Sequence, residues 1–317
     1  MKLIVPISYF EGRPRSELWI VDTLSRRHFR WQTLSPSNRP VQGKGVTGID
    51  RLNDSHYVIC DFNRVLLLNA SGEVVECRTV DDMNDLHSVT STSEGILVTN
   101  TGRDAVELLA EDLTPKYRWS GISETEWLRR VSGKYEVVGS YFDEASALIP
   151  FCRRRLPDRH HVNYAIKLPD GRYVGSSLAH RAYIDLATWQ PISQVLKQPP
   201  HDGCLFKGNL WITSVDGNIY SADTDGELRF RHRLSLFNDA PHYGWCRGLY
   251  FSCGKLFIGI TAIQEISSRT SWLRGAPSET KTGLYQLCSD SLEVEHFYDF
   301  SHPDGARIFS MTEAFVC

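Results

Sequence analysis

Residues 200–223 read PHDGCLFKGNLWITSVDGNIYSAD. Two apolar runs, CLF and LWITS, flank a KGN turn, and NIYSAD supplies a third run after VDG. Tight turns of this kind need residues that tolerate positive φ, and Gly and Asn supply them. The stretch is therefore the first three strands of an antiparallel unit, and His201 stands where its first strand begins.

The same unit recurs along the 317-residue chain. Copies begin at Gly48, His87, His161, His201 and Arg247, with ND, SEG, PDG, KGN and CGK between their first and second strands. A period of this size with four strands per unit is the pattern of β-propeller blades. The C-terminal ARIFSMTEAFV reads as a first strand with nothing after it. The N-terminal KLIVPISYF, ELWIVDT and HFRWQ read as three strands with no first. Together they form one blade built from both chain ends, which hides the edges an open sheet would expose. The expectation is an all-β, six-bladed β-propeller, one domain over residues 1–317. The step from His87 to His161 is nearly double the others and leaves a seven-bladed count open.

Two insertions interrupt the repeat, at residues 121–160 and 264–282. The first joins a fourth strand to the next first strand, and the second joins a second strand to a third. Both connections emerge on the face where first strands begin, so both should overhang the same channel mouth. Ser123 and Glu126 have capping-box spacing and predict a short helix start.

First strands of a propeller line its channel. Anchored on their second strands, the copies place Gly48, His87, Asn163, His201 and Arg247 at one register, with His161 two residues before Asn163 and Arg307 or Ser310 near them in the split blade. Three neutral imidazoles, His87, His161 and His201, suit a divalent transition metal. Arg247 could fork onto a carboxylate or phosphate, and a histidine could act as general acid or base. The rival reading is that these groups cap strand ends around channel water. His180 and Arg103 occupy loops on the mouth face and are further candidate substrate contacts. His160 alternates to the opposite face from His161.

Composition narrows the function classes. A net charge of −3 gives no overall basic field for nucleic acid. No run approaches the roughly 20 apolar residues that span a bilayer, and a cytoplasmic location is the default expectation. The eight cysteines form no CxxC pair, so reduced, mostly buried thiols are expected. GxGxxG, Walker, GxSxG and HExxH motifs are absent from the sequence.

Four segments, LHSVTSTSEGILVTNTGRDAVELL (86–109), HHVNYAIKLPDGRYVGSSL (160–178), PHDGCLFKGNLWITSVDGNIYSAD (200–223) and WCRGLYFSCGKLFIGITAIQEISSRT (245–270), resemble a family of bacterial propeller proteins catalogued as conserved hypothetical. The family's histidine, H-x-N, P-H and R-G points fall on His87, His161 with Asn163, Pro200 with His201, and Arg247 with Gly248. Its Gln/Ser-Arg-rich loop falls on QEISSRT. The long 121–160 insertion departs from the family. The resemblance implies the propeller fold and a role for the ring of blade starts, and names no reaction.

The functional expectation is an enzyme of lyase, hydrolase or isomerase type acting on a small polar or anionic metabolite at the mouth, with the insertions as a lid. The alternative is a non-catalytic propeller that anchors a protein or glycan on Trp127, Tyr141, Phe142 and Trp272.

Overall fold

The computed structural model describes residues 1–9, 15–34, 45–79, 82–132, 158–264, 270–273 and 275–315. Its strands form six antiparallel sheets arranged as a six-bladed β-propeller. Blade 1 spans residues 48–79, blade 2 residues 86–120, blade 3 begins at Val162, blade 4 spans residues 200–235 and blade 5 residues 245–299. In blade 6 the C-terminal Ala306–Ile308 and Thr312–Glu313 pair with the N-terminal Lys2–Tyr9, which pairs on with Arg15–Asp22 and then Arg27–Leu34. The expected split closure is thus present. Blade 3 has three strands, and its fourth shrinks to an isolated bridge between Ile184 and Pro191.

Period-two alternation explains the core. Successive side chains of one strand point to opposite sheet faces, so each blade feeds two apolar layers. Along Lys2–Tyr9, Leu3, Val5 and Ile7 pack against Phe257 and Leu284 of blade 5, while Ile4 packs with Ile49, Tyr57 and Ile59 of blade 1. In blade 4, Leu210 and Ile212 meet Ile166 and Val174 of blade 3, and Trp211 meets Leu249 and Ile258 of blade 5. Each fully buried aliphatic side chain contributes about 1.5–3 kcal/mol, and these interblade layers hold the ring together.

A polar seam reinforces it at the mouth. Thr47 Oγ1 donates to Leu86 O at 2.6 Å, Thr101 Oγ1 to Val162 O at 2.6 Å, Ser176 Oγ to His201 O at 2.9 Å, and Thr261 Oγ1 to Ile308 O at 3.0 Å. Cys246 N–H donates to Val215 O across the blade 4–5 junction at 3.0 Å, and Ile49 N–H donates to Ser310 Oγ across the blade 6–1 junction at 2.9 Å. Every junction between blades is tied where first strands start. Gly48 allows blades 1 and 2 to approach closely: a Cβ there would lie 2.7 Å from the Val89 backbone N.

The insertions leave the repeat where expected. Residues 121–160 connect Pro115–Ser120 to Val162–Lys167, and residues 264–282 connect Lys255–Thr261 to Gly283–Cys288. Ser123 N-caps the helix Glu124–Val131 and accepts from Glu126 N–H, as its spacing predicts. Tyr141 and Phe142 lie outside the described residues. Trp127 is buried under Arg103, whose guanidinium sits 4.5 Å from the ring, because the amphipathic helix turns it inward. It therefore cannot serve as the exposed anchor expected of it. The expectation of mostly buried thiols also needs correction. Six described cysteines are free, and Cys60 and Cys246 are buried, but Cys77 and Cys253 are exposed, on an outer strand and a hairpin turn. No helix among the described residues is long and apolar enough to cross a membrane.

Candidate functional site

The inner strands bulge where the candidate residues sit. The ladder skips His87 and Ser88 between Leu86 and Val89, Asn163 between Val162 and Tyr164, His201 and Asp202 between Pro200 and Gly203, and Gly248 between Arg247 and Leu249. Bulges re-aim side chains and gather beside functional sites. Their positions keep the expected register. His87, Asn163, His201 and Arg247 each follow directly on the residue paired with the equivalent Asn100, Ser177, Ser214 and Ile260, so all four stand at one level of the ring. Gly48 pairs with Cys60, the equivalent of Thr99 and Gly259, and stands at the same level.

The blade 2 bulge is satisfied by a side chain. Thr99 Oγ1 accepts from Ser88 N–H at 2.8 Å and from His87 N–H at 3.3 Å. The blade 5 bulge uses Gly248 at φ 76°, a conformation open to a residue without Cβ. Its N–H donates to Asp202 Oδ2 of blade 4 at 2.6 Å.

The same Asp202 oxygen lies 2.7 Å from His201 Nδ1. Since it already accepts an amide hydrogen, the imidazole is the donor, and Nδ1 carries the proton. Burial disfavours the imidazolium and lowers the His201 pKa below its ordinary value, although Asp202 opposes the shift. The ring is therefore neutral at pH 7, and its lone pair is on Nε2. His161 Nδ1 lies 2.7 Å from Asp158 Oδ2. His87 Nδ1 donates to Asp85 O at 2.9 Å. Each histidine of the ring is thus oriented through Nδ1 by its own acceptor.

The structure brings these rings together. His87 and His161 meet edge-to-face with centroids 5.0 Å apart, and His161 and Arg247 both act electrostatically on His201. Arg247 lies over the Phe309 ring at 4.5 Å, at the irregular join of the split blade's inner strand. Asn163 is 1% exposed, and both polar atoms of its side chain lack a hydrogen-bond partner among the described residues. A buried amide left in that state costs about 1–3 kcal/mol, which a bound water or ligand would recover. Among the described residues, no group of three or more His, Cys, Asp or Glu forms a metal site. In the expected His87, His161 and His201 set, Nδ1 of every ring is held by an acceptor.

His161 is held from below by the first insertion. It adopts φ 49°, and Asp85 and Asp104 adopt φ 54° and 51°. Such left-handed non-glycine residues cluster at functional sites. Asp104 Oδ1 accepts from the N–H groups of His160 and His161, and Oδ2 from that of Arg159. Arg130, on the inserted helix, pairs with Asp104 Oδ2 at 2.9 Å with its side chain only 1% exposed.

Other candidates lie elsewhere. Arg103 bonds Glu124 at 2.7 Å and braces the helix. His180 stacks on His160 at 5.2 Å and holds Ser177 Oγ through Nδ1, while His160 also packs on Trp189. Arg307 bonds Gln264 at 2.8 Å, beside the second insertion.

Below the mouth is a layer that sequence reading missed. Asp50 accepts from Ser91 N–H at 2.7 Å, and burial pushes its carboxyl up to about 6. Tyr164 and Tyr250 act electrostatically with it from blades 3 and 5. The signal was an Asp at a channel-facing position two residues beyond Gly48.

No family model matches the chain, and no curated protein matches it. Solved structures do. A protein of unknown function from Bacteroides caccae superposes with a TM-score of 0.64 at 10% identity, covering 98% of this chain and 97% of that one. A chain of a nidogen/laminin complex superposes with a TM-score of 0.61 at 8% identity, covering 100% of both. A Bacteroides fragilis protein assigned provisionally as a 6-phosphogluconolactonase reaches a TM-score of 0.51 at 11% identity, over 96% of this chain and 83% of that one. At such identities the likeness is one of fold: this chain shares the β-propeller architecture of proteins with differing roles.

Proposed function

We propose that the chain is an enzyme acting on a small polar or anionic metabolite at the channel mouth, with His201 as general base. The observation that carries this reading is the Asp202–His201 pair, which fixes a neutral, buried imidazole with its basic nitrogen on Nε2. In this role Nε2 takes a proton from substrate or from a positioned water, and Asp202 stabilises the imidazolium that results. Asn163 offers an amide to a substrate oxygen, and Arg247 pairs with an anionic group. Proton abstraction of this kind serves lyase, isomerase or hydrolase chemistry. The points by which the sequence resembles conserved-hypothetical propeller proteins fall on His87, His161 with Asn163, His201 and Arg247, and support the ring as the site.

The test is a thermal-shift panel of hydroxy acids, sugar acids and sugar phosphates on the wild type, His201→Gln and Asn163→Ala. The reading expects one class to raise the wild-type Tm and to fail with both variants. No stabilising class, or equal stabilisation of His201→Gln, overturns it. Elemental analysis of the same preparation reads out the divalent metal expected from His87, His161 and His201.

A further inference from the structure

On the hairpin side of the molecule, away from the mouth, two adjoining clefts of about 240 and 260 Å³ lie on blade 4, the second reaching Ser289, Asp290 and Leu292 of blade 5. Both are lined by Asn209, Trp211 and Arg233. Trp211 is 8% exposed, and its indole Nε1–H is buried with no acceptor among the described residues. Arg233 is exposed and lies 5.3 Å from the indole centroid, with no carboxylate partner among the described residues. Two solvent-exposed ion pairs close the ends, Arg231 with Asp223 at 3.2 Å and Lys207 with Asp290 at 3.1 Å.

The carboxylates of the lining, Asp223 and Asp290, are engaged in these end pairs, while Asn209 and Ser221 can donate or accept. The Arg233 guanidinium lies over the Trp211 ring on the wall that both clefts share, and the buried indole N–H has no acceptor among the described residues. An unmatched buried donor is unfavourable, and a guanidinium stacked on an indole is pre-oriented to present its remaining N–H groups. The exposed end pairs contribute little as they stand, so Arg231 and Lys207 can turn toward a stronger anion at small cost. A tetrahedral oxyanion has enough acceptor oxygens to satisfy the fork and the indole together. We propose that this groove binds the phosphate group of a small phosphorylated molecule, at a second site separate from the mouth.

The probe is inorganic pyrophosphate, titrated at constant ionic strength against ¹⁵N-labelled protein. The Trp211 indole N–H signal is assigned by its loss in Trp211→Phe. The expected result is a saturable displacement of that signal by pyrophosphate but not by sodium chloride, with affinity reduced at least about fivefold in Arg233→Gln. Arg233 is exposed, so the variant keeps the fold. A stationary Trp211 signal, an equal displacement by chloride, or a smaller loss of affinity in Arg233→Gln overturns the proposal.

Discussion

His201 and Gly248, on the inner strands of neighbouring blades, donate to the same oxygen atom of Asp202, at 2.7 and 2.6 Å. One carboxylate thus sets the tautomer of the candidate base and ties blade 4 to blade 5 beside it. Asp202→Asn keeps the shape and removes the charge. It should cost about 1–3 kcal/mol in denaturant unfolding, since one buried donor loses its acceptor. It should also move the His201 pKa further down, because Asp202 is the charge that raises it. Imidazole chemical shifts followed through a pH titration check the second effect.

His201 gives the pH profile a direction. Its folded pKa lies below the ordinary 6.5 because of burial. As pH falls through 6.5, the unfolded ring takes a proton that the folded ring refuses. Stability contributed by this residue is full above 6.5 and declines as pH drops toward the folded pKa. His201→Gln should flatten that part of a stability profile measured from pH 7.5 to 5.

Asp50 acts with the opposite sign. Its carboxyl is raised from 3.8 to about 6, so between those values the folded protein holds a proton that the unfolded chain releases. The cost of ionising it is absent at low pH and complete above about 6. Asp50→Asn should stabilise the protein at pH 8, by on the order of 2 kcal/mol, and the gain should vanish below about pH 4. Unfolding curves of both proteins at the two pH values decide it.

Much of this architecture could be read in advance. The ND, SEG, PDG, KGN and CGK turns mark hairpins, the alternation in KLIVPISY marks a strand packed on both faces, and Ser123 marks the helix start. The histidines could be read as a ring because they recur at blade starts. Their partners could not. In a regular strand, 201 and 202 would point to opposite faces, and only the bulge brings the Asp202 carboxylate round to the His201 ring. The contact between Arg130 and Asp104 depends on how the insertion folds back, which no local pattern encodes.

That contact is the next test. Arg130 is buried and bound to Asp104, which in turn holds the amides of residues 159–161. Arg130→Met leaves the Asp104 charge without its cation and should cost about 3–5 kcal/mol. The loss should show as a lower Tm, together with displaced His161 ring signals.

Thr99 separates bulge support from packing. Thr99→Val removes the hydroxyl that accepts from His87 and Ser88 and keeps the volume. A loss of about 1–3 kcal/mol is expected, with most of it restored in Thr99→Ser.

The central claim is that the mouth is built to hold a small polar molecule between Asn163 and His201. A high-resolution crystal structure of the protein soaked with the best compound from the thermal-shift panel tests it most directly. The account predicts that compound bonded to both the Asn163 amide and His201 Nε2. A mouth in which the compound binds elsewhere, with the Asn163 amide satisfied by protein atoms, would contradict it.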